Sequence, residues 1–146
     1  MTTVSSIVGQ GSLRDPMRGQ RNLDALAEHL GAEWFGDLLT PLARLLPRTA
    51  DPDMALNNLE RLFAQPAARA QVPSLLEARG RGLDAVLQLL AVSQFFADTL
   101  TLYPEAVELV RQPPRRSPST DEMTAQLRAE VDAATDDASV LRAIRR

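Results

Sequence analysis

The segment that most constrains the fold is residues 83–102, LDAVLQLLAVSQFFADTLTL, which is apolar almost all the way round when wound as a helix. A helix of that kind is buried on most of its faces and lies at the centre of a helical packing. No part of the chain alternates β-branched and polar residues as a half-buried strand would. Most apolar residues are Leu and Ala, both strong helix formers. The sequence therefore predicts an all-α fold, an irregular bundle of about six to seven helices around this segment.

Composition and charge exclude several classes of protein. The net charge is −3 and all 16 basic residues are Arg, scattered rather than gathered on one face, which argues against a nucleic-acid binder. Cysteine is absent, which excludes disulfides and Cys-based zinc sites. The N-terminus lacks the basic leader and apolar block of a secretory signal, and acidic side chains interrupt the longest apolar segment, unlike a membrane span. We therefore expect a cytoplasmic chain that binds neither nucleic acid nor membrane.

Changes in composition along the chain predict four segments. Residues 1–21 are rich in Gly, Ser, Thr and Arg and are predicted to be disordered. Residues 22–111 have helical periodicity and form the helical domain. Residues 112–118, QPPRRSP, form a Pro/Arg linker. Residues 119–146 are again helical and stop in mid-pattern, so we expect that this segment is cut short.

Two helix starts can be read from their capping residues. Asp51 is a strong N-cap candidate, Pro52 fits the first helical position, and the charge of Asp53 complements the positive end of the helix. Further along, Ser119 and Glu122 have the spacing of a capping box. Both sites predict a helix that begins at the next residue.

Glycine and proline predict where the other helices are interrupted. Gly31 is expected to end the first long helix, and Pro41 to kink or divide the next. Gly80, Gly82 and Ala85 match the dinucleotide-binding pattern G-x-G-x-x-A, but that fingerprint requires a strand before it, and the preceding residues are helical. We interpret these glycines as closing one helix and opening the next.

Few residues are candidates for catalysis or metal binding. His29 is the only histidine and lies on the polar side of an early helix, as a surface residue. Asp51 and Asp53 have the spacing of a carboxylate pair, but capping explains both. Arg115 and Arg116 could contact a phosphate or an acidic partner; the alternative is a solvated hinge.

Three polar residues interrupt the apolar helix. Ser93 can donate a hydrogen bond to the carbonyl of Leu89, one turn back. Gln94 and Asp98 have the i, i+4 spacing of a surface pair. A structural role is the favoured interpretation, and a catalytic one is the alternative. The residues themselves thus assign no catalytic, cofactor-binding or metal-binding site.

Two segments in this order resemble a known family. DPDMALNNLERLF, residues 51–63, and LLAVSQFFADTLTLYPEAVELV, residues 89–110, are similar to the N-terminal region of the glutamine synthetase adenylyltransferase/deadenylyltransferase family. The resemblance covers residues 51–112 well and 119–146 loosely, and LRAIRR, residues 141–146, looks like the segment leading into that family's first catalytic domain. The matching positions are Asp51, Pro52, Ala55, Leu56, Asn58, Leu59, Glu60, Arg61, Ser93, Gln94, Phe95, Ala97, Asp98, Pro104 and Glu105.

The resemblance implies a role without catalysis. In that family two nucleotidyltransferase domains use an Asp-x-Asp pair to hold magnesium and ATP, and they transfer AMP to and from a tyrosine of glutamine synthetase under the control of a PII signalling protein. None of the matching positions is catalytic in the family. This chain would be a non-catalytic N-terminal part, inactive alone and without cofactors of its own, with glutamine synthetase and a PII protein as partners. The alternative is a free-standing helical protein-interaction module without enzymatic activity.

Overall fold

Helices account for most of the residues that the structure describes. The structure is a computed structural model and describes residues 4–9, 11–111 and 119–133. In these residues there is no strand, so the predicted all-α class is confirmed. The helices are α1 (Val4–Gly9), α2 (Pro16–Leu45), α3 (Pro52–Ala64), α4 (Pro66–Arg69), α5 (Val72–Val92), α6 (Gln94–Leu102), α7 (Val107–Arg111) and α8 (Thr120–Asp132), with 3-10 turns at Leu46–Arg48 and Pro104–Ala106.

The chain divides into two units, residues 1–113 and residues 114–146. The first unit holds α1 to α7 and a core made mainly of leucine side chains from α2, α3 and α5. The second holds α8, which begins with the predicted capping box: Ser119 Oγ accepts a hydrogen bond from the Glu122 N–H, and the Glu122 carboxylate accepts one from the Ser119 N–H. The predicted linker, with Arg115 and Arg116, lies outside the described residues, as does the segment 141–146.

The N-terminal segment differs from the sequence prediction. Residues 1–21 were expected to be disordered, yet α1 forms at Val4–Gly9 and Ile7 is fully buried in the core. Leu13 is buried as well, and α2 begins at Pro16 with Asp15 as its N-cap. The prediction of disorder is wrong for residues 4–9 and 11–21, because it was based on their amino-acid composition alone. A few apolar side chains at helical spacing are enough to join a core that other helices supply.

The long apolar helix is also different from its prediction. Residues 83–102 do not form one helix: α5 starts earlier, at Val72, and ends at Val92, while α6 follows after one extended residue, Ser93, with φ −149° and ψ 115°. Ser is a favoured N-cap residue, and here it starts a new helix instead of continuing the old one. The α5 part is buried as expected, but several large side chains of α6 are exposed.

Glycines interrupt the helices where the sequence indicated, whereas Pro41 does not interrupt its helix. Gly31 takes φ +75° and ψ 166° inside α2, which breaks the helical geometry there. Gly80 takes φ +76° inside α5, so the interruption expected near Gly80 is present, although Gly82 continues the same helix. Pro41 was expected to kink or divide its helix, but the only non-helical residue within α2 is Gly31.

Candidate functional site

Among the described residues, the titratable side chains that the sequence singled out have structural contacts. In the part of the chain that the structure describes, no group of three or more His, Asp or Glu residues could hold a metal ion. His29 is not a simple surface residue: its Nε2 lies 3.1 Å from Oε1 of Glu60, which joins α2 to α3, and both side chains are about one quarter exposed.

The aspartates at the start of α3 have different roles: Asp51 caps α3, and Asp53 contacts the chain just before α2. Asp51 Oδ1 accepts a hydrogen bond from the Met54 N–H at 2.9 Å, which confirms its predicted role. The carboxylate of Asp53 accepts hydrogen bonds from the N–H groups of Arg14 and Asp15, at 2.8 and 3.0 Å. Asp53 therefore also fixes the chain just before α2, a long-range contact that its position on α3 did not indicate.

The polar residues of the apolar segment have structural roles. The Ser93 hydroxyl was expected to donate to the carbonyl of Leu89, and it does not. Instead, Ser93 Oγ accepts a hydrogen bond from the Phe96 N–H at 3.4 Å and caps α6, while the Ser93 backbone N–H donates to the Leu89 carbonyl. The predicted pair is confirmed, since Gln94 Nε2 donates to Asp98 Oδ1 at 2.9 Å.

Gln94 and Asp98 belong to a larger polar network that joins three helices. Asn58 is fully buried on α3, and its Nδ2 donates to the carbonyl of Leu90 at 3.0 Å and to Gln94 Oε1 at 3.4 Å. Arg61 donates to Asn58 Oδ1 at 3.3 Å and forms an ion pair with Asp98 Oδ1 at 2.9 Å. We call Asn58, Arg61, Gln94 and Asp98 the α3–α6 network.

The network holds a carboxylate in its charged form. The hydrogen bond from Gln94, and after it the hydrogen bond and charge of Arg61, lower the pKa of Asp98 below its ordinary value of 3.8. An ionised carboxylate with both partners in place is a clamp between α3 and α6 and not a proton donor at neutral pH. Asn58 was not singled out for its chemistry, although a polar residue within the apolar stripe of α3 is the signal that could have indicated it.

The described surface carries large exposed apolar side chains along α6 and at the end of α5. Phe95 is 74% exposed, Leu102 70%, Val92 61% and Phe96 46%. The two rings contact each other edge to face, with centroids 5.7 Å apart. We call these four residues the α6 patch. The sequence predicted that helix 83–102 is buried on most of its faces, but an almost wholly apolar helix gives no indication of which face remains uncovered.

An open groove of about 730 Å³ lies between α2 and α5. Trp34, Pro41, Pro73 and Leu76 contribute its apolar surface, and Arg44 is among its charged side chains. Its lining residues include no histidine, the usual general base for a hydroxyl nucleophile. The α6 patch is therefore the better candidate for function.

Comparison of the chain with protein-family models, with curated proteins and with solved structures finds no match. None of the helices in the described ranges has both the length and the apolar character needed to cross a membrane. The fold and the site thus define a helical domain with a partly buried interhelical network and exposed apolar side chains on α6.

Proposed function

We propose that this chain is a non-catalytic helical domain that binds a partner protein through the α6 patch. The observation that carries the proposal is the exposure of Phe95, Phe96, Val92 and Leu102 together. Single exposed apolar residues are normal on protein surfaces. Several within one short segment, two of them aromatic, are typical of a recognition surface, because burying them against a partner removes a large apolar area from water.

The position of the α6 patch supports this function. The α3–α6 network and the Ser93 cap hold α6 at a fixed place beside α3 and α5, so the exposed side chains are presented by a rigid support. A surface that is already ordered loses less conformational entropy when it binds. The polar side chains of α6 are engaged in hydrogen bonds within α6 or with α3, which leaves the apolar side chains to make the contact.

The experiment is photo-cross-linking in cells from a benzoylphenylalanine placed at position 95. Met17 is the matched control, because it is also 74% exposed and lies on α2. We expect a discrete adduct with one partner protein from position 95 and none from position 17. If position 95 gives no adduct, or if both positions give the same adducts, the α6 patch is not a binding surface.

A second candidate function is the one that the resemblance implies: the non-catalytic N-terminal part of an enzyme that adenylylates and deadenylylates glutamine synthetase. It is favoured by one specific observation. Asn58 and Arg61 come from the first resembling segment and Gln94 and Asp98 from the second, and the four side chains form one network. The two segments therefore form a single structural unit, as expected if both correspond to one region of such an enzyme.

The test of the second candidate uses the purified chain with glutamine synthetase, a PII protein and labelled ATP. We expect retention of glutamine synthetase or the PII protein by the immobilised chain, and no incorporation of labelled AMP. Incorporation of AMP by the chain alone would contradict its assignment as non-catalytic. Absence of binding to both proteins would remove this candidate and leave the more general binding function in place.

A further inference from the structure

We infer that the partner seated on the α6 patch is a second copy of this chain, so that two copies pair face to face through α6. The inference rests on the proposed function and names the partner. Three properties of the described residues lead to it: the arrangement of the apolar side chains on α6, the charge that this helix carries, and the apolar area that it leaves in contact with water.

The exposed side chains of α6 form one face of a short helix. Phe95 and Leu102 are seven residues apart and share this face over about 10 Å of helix axis, with the half-buried Thr99 between them. The ring of Phe96 contacts that of Phe95 edge to face and widens the apolar surface. In a dimer with two-fold symmetry the same surface lies on both sides of the interface, so each apolar face meets an apolar face.

The hydroxyl groups of α6 donate to backbone carbonyls of the same helix. Thr99 Oγ1 donates to the carbonyl of Phe95 and Thr101 Oγ1 to that of Ala97, both at 2.8 Å. A polar partner surface would have to give up its hydrogen bonds to water and would gain few from these groups in return. The face is therefore suited to an apolar partner surface, which its own copy supplies.

Charge favours a second copy over a partner with a charged contact surface. Asp98 is the only charged residue between positions 85 and 104, and Arg61 of α3 pairs with its carboxylate at 2.9 Å. Because the two charges of this pair cancel, two copies of α6 can meet without the like-charge repulsion that a charged surface experiences in its own copy. A strongly basic or acidic partner helix would find no unmatched charge on α6 to pair with.

The exposed apolar area determines how strong the dimer should be. A buried phenylalanine removes roughly 150–250 Å² from water, so at their exposed fractions Phe95 and Phe96 together leave about 200 Å² for a partner to cover. Leu102 and Val92 add a comparable area. Two copies thus bring on the order of 800 Å² of apolar side-chain surface to the interface, less than the roughly 1,200 Å² that stable complexes bury in total. We therefore expect a weak and reversible dimer.

The test measures the mass of the full chain by sedimentation equilibrium, at concentrations from about 5 to about 500 µM. We expect the mass to rise with concentration from that of one chain towards that of two. Phe95→Glu should weaken dimerisation at least about tenfold, because the new charge enters the interface from both copies at an aromatic contact. Met17→Glu places the same charge at an equally exposed position of α2 and should leave dimerisation unchanged.

A second variant separates loss of the dimer from loss of the fold. Leu102→Glu lies on the same face as Phe95 and should weaken dimerisation in the same way. Both variants should keep the helical circular dichroism of the wild type, since both side chains are exposed. Added sodium chloride should not weaken the dimer, because no unmatched charge of α6 takes part in it.

The results distinguish failure of this inference from failure of the proposed function. A chain that stays monomeric at about 500 µM, a dimer that Phe95→Glu leaves intact, or a dimer that salt weakens would overturn the inference. From benzoylphenylalanine at position 95, an adduct with twice the mass of the chain supports both proposals. An adduct with a different protein overturns the inference alone, whereas no adduct overturns both.

Discussion

At the scale of single residues, Asn58 is the polar side chain on which the packing of α3, α5 and α6 most depends. It is fully buried, and its amide reaches the carbonyl of Leu90, one of the last four carbonyls of α5, which have no partner within the helix. We expect Asn58→Ala to lower the free energy of unfolding by about 1–3 kcal/mol, since it removes the amide that satisfies a buried acceptor.

The neighbouring Asn57 provides the control for this prediction. Its side chain is half-buried and accepts a hydrogen bond from Arg18 at the surface. Asn57→Ala should change the free energy of unfolding by less than about 0.5 kcal/mol in urea denaturation, as is usual for surface positions. Equal losses for the two variants would mean that the buried hydrogen bonds of Asn58 do not contribute.

Asp98 gives the same network a dependence on pH. Hydrogen bonds from Gln94 and Arg61 lower its pKa in the folded state. The ionised carboxylate therefore stabilises the fold above the ordinary pKa of 3.8, and this contribution is lost as the pH falls through the lowered pKa. We expect Asp98→Asn to be less stable than the wild type at neutral pH and the difference to shrink in acid. Urea denaturation across this range is the measurement, and a constant difference would contradict the role of the charge.

At the scale of elements, Gly31 and Gly36 of α2 should respond in opposite ways to replacement by alanine, because only Gly31 lies at the break in the helix. Gly31 has φ +75°, and a Cβ there would meet no atom within 4 Å, so any cost is conformational. We expect Gly31→Ala to destabilise the protein by about 1–3 kcal/mol. Gly36 is also open but follows helical geometry, and Gly36→Ala should stabilise by about 0.5–1 kcal/mol. Thermal denaturation compares them, and stabilisation by both would show that α2 is continuous at Gly31.

Helix boundaries were predictable where a local signal sets them. Asp51 with Pro52, and Ser119 with Glu122, start helices as the sequence indicates, because an N-cap depends on residues within one turn. The break at Ser93 was missed, since serine inside an apolar run is compatible with a continuous helix. The packing of α6 against α3 decides between a continuous helix and a break at Ser93, and this packing cannot be read from residues that are close in sequence.

The candidate site was less predictable than the helices. The Gln94–Asp98 pair was expected from its spacing, but its partners Asn58 and Arg61 are more than thirty residues away in sequence. The α6 patch was not predicted, because helix 83–102 was expected to be buried on most of its faces. Hydrophobic periodicity identifies apolar faces, whereas the surface that remains exposed depends on which helices happen to pack there.

At the scale of the whole molecule, the core of the first unit extends to the N-terminal helix, although composition indicated disorder there. Ile7 is fully buried together with leucines of the later helices. An isolated helix as short as Val4–Gly9 is not stable in water. Its order must therefore derive from burial, in which Ile7 is fully buried and Val4 and Val8 pack against the same core.

This dependence predicts a large effect from a small change near the N-terminus. Ile7→Ala should lower the free energy of unfolding by about 2–4 kcal/mol, because it removes buried methyl groups and leaves a cavity. Met17→Ala, which truncates an exposed apolar side chain, should change it by less than about 0.5 kcal/mol. Guanidinium denaturation of the full chain measures both variants. Were residues 4–9 disordered as their composition indicates, Ile7→Ala would be as neutral as Met17→Ala, since no buried contact would be lost.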